Sequence, residues 1–343
     1  IVTPSPYRVA PPCPHARACG GCALQHVRDE AVAEWKVEVV RRALEAQGLE
    51  ASFRPIVTSP PFSRRRATFA GRRTKAGALV GFHAPASDVI VDTPKCHLVH
   101  PDVLALRPVL EALVRAGASR RDTLALTVTR LDEGAEVAVT GGKALEAAAR
   151  AELAALAGRA GLVRLVWDGE VLAQDARPHV RFDGIAVSPP PGAFLQATEE
   201  GEAALRAAVS EAVGDAGRIV DLFAGCGTFA LPLARRAEVH AVEGDAALVA
   251  TLEAGWRGAQ GLKRVSAEAR DLFRRPLEPR ELARFDAAVI DPPRAGAEAQ
   301  STALAASSLR RVAAVSCNPA TFARDARLLS EAGFRLQWVQ VVD

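Results

Sequence analysis

The residues most able to do chemistry are cysteines, and they fall into two groups. Near the end, residues 313–325 read AAVSCNPATFARD. An apolar run delivers Cys317 to a point where Asn318 and Pro319 stop a strand. Free Cys is among the most buried side chains, so the plain reading is a small core residue. The chemical reading is a nucleophile at the edge of a sheet, attacking as its thiolate. Near the start, CPHARACGGC and a later KCHLVH supply Cys13, Cys19, Cys22 and Cys96 as C-x5-C-x2-C with a distant fourth thiol. Four thiolates suit tetrahedral zinc or an iron–sulfur cluster, and spacing does not separate the two. His15 and His97 are read as neighbours of ligands, not ligands.

A second constellation suits a nucleoside-type cofactor. DLFAGCGTFALPLA begins at Asp221, and Gly225 and Gly227 turn the chain from a strand into a helix. Glycine there lets the backbone approach a ligand closely. Glu243 ends the next strand and can accept hydrogen bonds from ribose hydroxyls. Asp271 ends a third strand and can bind an exocyclic amine of adenine. The loop lacks the G-x-G-x-x-G that holds a pyrophosphate, which counts against NAD. VIDPPRAG sets Asp291 at a fourth strand end, its carboxylate fixed by Pro292 and Pro293. Cys226, inside the glycine loop, reads as structural.

These residues need a parallel sheet to gather them. From residue 187 onward strands and helices alternate: RIVDLFA, EVHAVEGD, RVSAEARDL, FDAAVIDPP and VAAVSCNP, with helices between. Continuous apolar strands in that rhythm predict a doubly wound α/β domain over 187–343, with its ligands beyond the carboxyl ends of the strands. Residues 1–186 read differently. A helix is expected at 27–48, with an apolar stripe of Val32, Trp35, Val39, Ala43 and Ala46, and this helix can pack on the second domain. Another is expected at 102–117. RRRATFAGRR, ALVGFHA and DVIVDT read as strands, and two hairpins follow, the second turning on Asp168-Gly169. This half is an α+β domain with an antiparallel sheet.

Composition narrows the classes. The 343 residues carry 49% hydrophobic and 24% charged side chains, ordinary for a globular protein, and six cysteines. No apolar run approaches a membrane span, and the first residues lack a signal-peptide pattern. A cytoplasmic protein with no membrane partner is expected, and six thiols there argue for metal or catalysis over disulfides. Net charge is only +3, so charge alone does not announce a nucleic acid. Arg64, Arg65, Arg66, Arg72, Arg73 and Lys75 nevertheless crowd one strand and are expected to meet phosphate. The chain begins at Ile1 and contains no Met, so either a fragment or a sequence lacking its modified methionines is expected.

DPPRAG followed by SCNPATFARD, with FLQAT at 194–198 and the N-terminal cysteine set, resembles the RNA 5-methyluridine methyltransferases along nearly the whole chain. The resemblance implies a Rossmann-like methyltransferase domain preceded by a domain with a four-cysteine cluster. It implies S-adenosylmethionine as methyl donor, lined by Gln196, Phe223, Thr228, Glu243, Asp271 and Asp291, with Thr228 replacing the more usual Asn. It implies Cys317 as the nucleophile that adds to carbon 6 of uracil, on a base taken out of its stack. A [4Fe–4S] cluster on Cys13, Cys19, Cys22 and Cys96 is implied, zinc being the alternative. The implied partner is RNA, 23S ribosomal RNA before transfer RNA, bound by a monomer. The family's proton-removing Glu lies beyond VVD, outside this chain. A relative without it would be a non-catalytic RNA-binding protein.

Overall fold

The computed structural model describes residues 3–175 and 177–343, in two compact units between which the chain passes several times. The first unit holds the residues up to Val32, Ser59–His179 and Pro191–Glu199. The second holds Ala33–Thr58, Val180–Pro190 and Glu200–Asp343.

In the first unit seven strands form one sheet. They are β1 (Arg66–Thr74), β2 (Gly77–His83), β3 (Ile90–Asp92), β4 (Leu124–Leu131), β5 (Gly134–Thr140), β6 (Leu162–Trp167) and β7 (Glu170–Gln174), in the order β3-β2-β1-β4-β5-β6-β7. Alternation along β4 buries Leu124, Leu126 and Val128 in one core with Leu110, Leu113 and Val114 of the helix Arg107–Gly117. Each such side chain contributes about 1.5–3 kcal/mol by leaving water. The β6–β7 turn has φ of 45° at Asp168 and 88° at Gly169, the left-handed pair a two-residue hairpin needs. The Asp168 carboxylate also accepts the Gly141 and Gly142 amides at 2.8 and 3.1 Å.

Three expectations are corrected here. The sheet is mixed, not antiparallel throughout, because β5 and β6 run parallel. The helix Ala147–Arg159 between them provides the long crossover that parallel neighbours require. The helix expected at 102–117 is two, Pro101–Ala105 and Arg107–Gly117. Pro108 has no amide to donate across the junction. The helix expected at 27–48 spans Asp29–Glu45, and its expected apolar stripe holds only in part: Trp35 is 52% and Val39 36% exposed, while Ala43 is covered. Leu44, Val40 and Ala43 face the protein instead, against Ala323, Leu49 and Val339. Those three residues have the same helical spacing, so periodicity alone admitted two faces.

The second unit holds the predicted α/β sheet. Strands β8 (Arg218–Leu222), β9 (Glu238–Glu243), β10 (Val265–Ala269), β11 (Ala287–Ile290) and β12 (Arg311–Ala314) are all parallel, in the order β10-β9-β8-β11-β12. The winding reverses between β8 and β11, which opens a crevice at their carboxyl ends. Val220, Leu222, Ala288 and Ile290 are buried in the core below it. Among the described residues no helix is long and apolar enough to cross a membrane.

Candidate functional site

The glycine loop leaves β8 through Phe223, whose φ is 61°, then Gly225 (56°) and Gly227 (102°). A Cβ at Gly227 would stand 2.8 Å from Leu231, so this position has neither the space nor the conformation for a side chain. The Glu243 carboxylate at the end of β9 braces the loop. One oxygen accepts the Gly225 amide at 2.9 Å and the other the Asp245 amide at 3.0 Å. Each oxygen keeps further acceptor capacity for a ligand hydroxyl. Asp271, just after β10, accepts the amides of Phe273 and Arg274 at 2.9 and 3.2 Å. Its carboxylate thus shapes a turn that presents Phe273, 50% exposed, to Phe223 with ring centroids 5.3 Å apart. Phe273 was not anticipated; only its place two residues past a strand-end Asp hinted at it. Thr228 is half-buried between Gly227 and the helix Ala230–Leu233.

Two carboxyl groups lie deeper. Burial raises the pKa of Asp291 at the end of β11 to about 6. Asp221 on β8 is fully buried, and neither carboxyl oxygen has a partner at hydrogen-bonding geometry. Burial, then the charges of Asp291 and Glu243, hold it well above the usual carboxylate range, opposed weakly by the nearby Ala230 amide. In the sequence Asp221 reads only as the opening residue of a motif; the fold makes it a like-charged neighbour of Asp291 and Glu243 at the crevice.

The Cys317 thiol is exposed, which removes the core reading. It stands on the loop between β12 and the helix Pro319–Glu331. Asn318 caps that helix by accepting the Ala320 amide at 3.1 Å. The same side chain donates to the Arg294 carbonyl at 3.1 Å, and Thr321 donates to that carbonyl at 3.3 Å. Asp325 accepts the Ala297 amide at 2.8 Å. Gly296 has φ of 77°, and a Cβ there would meet Arg324, Asp325 and Thr321 at 2.6–2.9 Å. The DPPRAG and SCNPATFARD stretches therefore interlock, and the loop carrying Asp291 is bolted to the loop carrying Cys317. Phe223, Thr228, Glu243, Asp271, Asp291 and Cys317 all lie along the carboxyl edge of one sheet. Asp343 pairs with Lys36.

Gln196 belongs to the first unit. Its carbonyl accepts the Arg65 side chain at 3.1 Å, while the Arg65 amide donates to the Ala197 carbonyl at 2.9 Å. Arg65 is 4% exposed and consumed by this task, so the expected phosphate-binding group of six basic residues does not exist as one patch. Arg72 is engaged by Thr123, while Arg73 and Lys75 are exposed. The strand alternation that sends Arg65 inward turns Arg64 and Arg66 the other way.

Arg64 and Arg66 line a cavity of about 300 Å³ with Cys13, Cys19, Cys22 and Cys96. Burial and the three neighbouring thiols raise the Cys19 pKa, opposed by the Gly21 amide at 3.4 Å from its sulfur. The Leu98 amide approaches the Cys96 sulfur at 3.5 Å. Gly20 makes the loop possible: a Cβ there would stand 2.8 Å from the His83 carbonyl, to which its own amide donates. Among the described residues no group of three or more His, Cys, Asp or Glu stands as a single metal ion would need. His15 accepts the Lys95 amide, and His97 packs against Phe62 with the rings tilted by 40°.

Residues 155–337 match the tRNA (uracil-5-)-methyltransferase family model. An RNA methyltransferase of Brucella suis biovar 1 is 43% identical over 343 residues, covering 100% of this chain and 83% of that relative. The 23S rRNA (uracil(1939)-C(5))-methyltransferase RlmD of Alkalilimnicola ehrlichii is 35% identical over 366 residues, covering 100% of this chain and 81% of RlmD. The crystal structure of Pyrococcus abyssi tRNA (uracil-54, C5)-methyltransferase with S-adenosyl-L-homocysteine shares the fold, with TM-score 0.71 and 22% identity over 95% of this chain and 80% of that one. The chain belongs to the tRNA (uracil-5-)-methyltransferase family and is an RNA methyltransferase.

Proposed function

We propose that the protein transfers the methyl group of S-adenosylmethionine to carbon 5 of a uridine in RNA, through a covalent adduct on Cys317. The observation that carries this reading is the exposed Cys317 thiol, on a loop interlocked with the one bearing Asp291. The Cys317 thiolate adds to carbon 6 of the flipped uracil, and the electron pair moves to an enolate that makes carbon 5 nucleophilic. Carbon 5 takes the methyl group and the sulfonium leaves as the thioether. A base then removes the carbon 5 proton, the bond from sulfur to carbon 6 breaks, and the thiolate returns. Phe223, Phe273, Glu243 and Asp271 would hold the cofactor's nucleoside, and Asp291 would stand beside the methyl donor. Ribosomal RNA is the preferred substrate, because the RlmD relative matches this chain along its whole length.

The four-thiol cavity fits a [4Fe–4S] cluster better than zinc. A single zinc ion needs four sulfurs each about 2.3 Å from one point. Here the four thiols are among the residues lining a space of about 300 Å³, and among the described residues no group of three or more is arranged for one ion. A cubane accepts one thiolate at each of four separate irons, and amides near two of the sulfurs suit such a centre. Cys13, Cys19, Cys22 and Cys96 would hold it, and it would pin the loop at 13–22 to the segment at 96–98. The test of the whole reading is incubation with methyl-labelled S-adenosylmethionine and ribosomal or transfer RNA, followed by nucleoside analysis. Label in 5-methyluridine from ribosomal RNA is expected. Label in any other nucleoside would overturn the reaction, and label from transfer RNA alone would overturn the substrate.

A further inference from the structure

The two arginines in the thiol cavity have no role in the reaction described so far. Arg64 and Arg66 flank the start of β1, and the Nε of each is sealed from solvent with no hydrogen-bond partner. A buried donor left unpaired costs about 1–3 kcal/mol. Their surroundings in the first unit leave few acceptors. Glu136, whose charge acts on Arg66, is already held by Arg164 and by the Gly192 amide at 3.0 Å. Arg64 is fixed by its backbone, since its amide donates to the Leu98 carbonyl at 3.1 Å and its carbonyl accepts the His100 amide at 2.9 Å. That pairing runs along the segment just after Cys96, so the arginine and the thiol are carried on neighbouring backbones. Arg66 lies beside the exposed Phe194 ring, its guanidinium carbon 5.6 Å from the centroid. Both arginines and all four cysteines line the same cavity.

We propose that Arg64 and Arg66 are the counter-charges of the cavity, holding an anionic cluster and setting its reduction potential. The proposal rests on the cluster reading above. Four thiolates around a doubly charged cubane leave a net charge of about −2, and one added electron makes it about −3. A buried anion of that size is costly without cations beside it. Two guanidiniums stabilise the more negative, reduced state more than the oxidised one, so they raise the potential. Arginine suits the task because its charge persists when water is excluded. The sealed Nε atoms favour this occupant over an RNA phosphate, which would reach the arginines from solvent.

The test uses the full chain purified without oxygen. The wild-type protein, Arg64→Gln, Arg66→Gln, Arg64→Lys and Arg66→Lys are each assayed for iron and sulfide, titrated with dithionite under potentiometric control, and measured for RNA affinity against salt. About four irons and four sulfides per wild-type chain are expected. Each Gln variant should keep its cluster but shift the reduction equilibrium at least tenfold toward the oxidised form, about 59 mV lower for one electron. The Lys variants should recover more than half of that shift. Wild-type protein without iron and sulfide would overturn the cluster reading and the proposal together. A loaded wild-type protein whose Gln variants keep the same potential would overturn the proposal alone. A Gln variant with unchanged potential, weaker RNA binding and a salt slope smaller by about one would assign that arginine to phosphate instead.

Discussion

Cysteine stands in opposite surroundings in the two units. In the first, four thiols line one cavity, two of them touched by backbone amides, together with two arginines whose Nε atoms are sealed from solvent. In the second, one thiol stands exposed at the edge of a parallel sheet, on a loop clamped by its neighbours. The first setting brings four thiols to the lining of one cavity. The second leaves a single sulfur accessible to a flat base. The contrast shows that the reach of the backbone, not the residue type, decides what a thiol does. Glycine at position 20 lets one loop press against its neighbour, while Asn318 and Pro319 start a helix just past Cys317, which leaves the thiol on the short loop after β12.

Breaking each side should have separable effects. Cys317→Ala should lower carbon 5 methylation on the order of 10⁴-fold or more. Its thermal stability should change by less than about 0.5 kcal/mol, because the thiol is exposed. Cys96→Ser should do the reverse: bound iron and sulfide fall at least tenfold and the first unit melts earlier. A separately resolved melt of the α/β unit should stay within about 1 °C. Calorimetry of the two variants would show whether the thiols are as distinct as their surroundings.

Asp291 offers a smaller, pH-dependent test. Burial raises its pKa from the ordinary 3.8 to about 6, so the folded state holds a proton that the unfolded state has lost between those values. Stability therefore falls as pH rises from about 4 through 6 and is level above that, a loss of about 3 kcal/mol. Asp291→Asn removes the buried charge and its repulsion of Asp221. Without cofactor, the variant should be more stable than wild type at pH 8 by up to that amount. The advantage should vanish near pH 4, as read from urea unfolding at the two pH values. Asn318→Ala should cost about 1 kcal/mol through the lost helix cap and slow methylation without changing cofactor affinity. An equal loss of both would mean that the interlock serves the cofactor and not the nucleophile.

Much of the second unit was readable because a parallel sheet has strong local grammar. Apolar strands, helices between them, and glycine, acid or proline at each strand end place Phe223, Glu243, Asp271, Asp291 and Cys317 along one edge without any long-range information. What escaped depends on packing. Trp35 looks like a core residue by period, yet a second stripe on the same helix is the one covered. Arg65 reads as a phosphate ligand beside Arg64 and Arg66, yet alternation along the strand sends it to the Gln196 carbonyl. Phe273 stands near Phe223 only because Asp271 folds a turn. The C-x5-C-x2-C spacing announces a site, but its width and its arginines emerge only when β1 and the segment after Cys96 are brought side by side.

The central claim is that Cys317 activates carbon 5 of a uridine in RNA. The most direct measurement is tritium release from ribosomal RNA labelled at carbon 5 of uridine, with S-adenosylmethionine, by wild-type protein and by Cys317→Ala. The account predicts release matching methyl incorporation in the wild type and none above background in the variant. Methyl incorporation without tritium release, or release that survives in the variant, would contradict it.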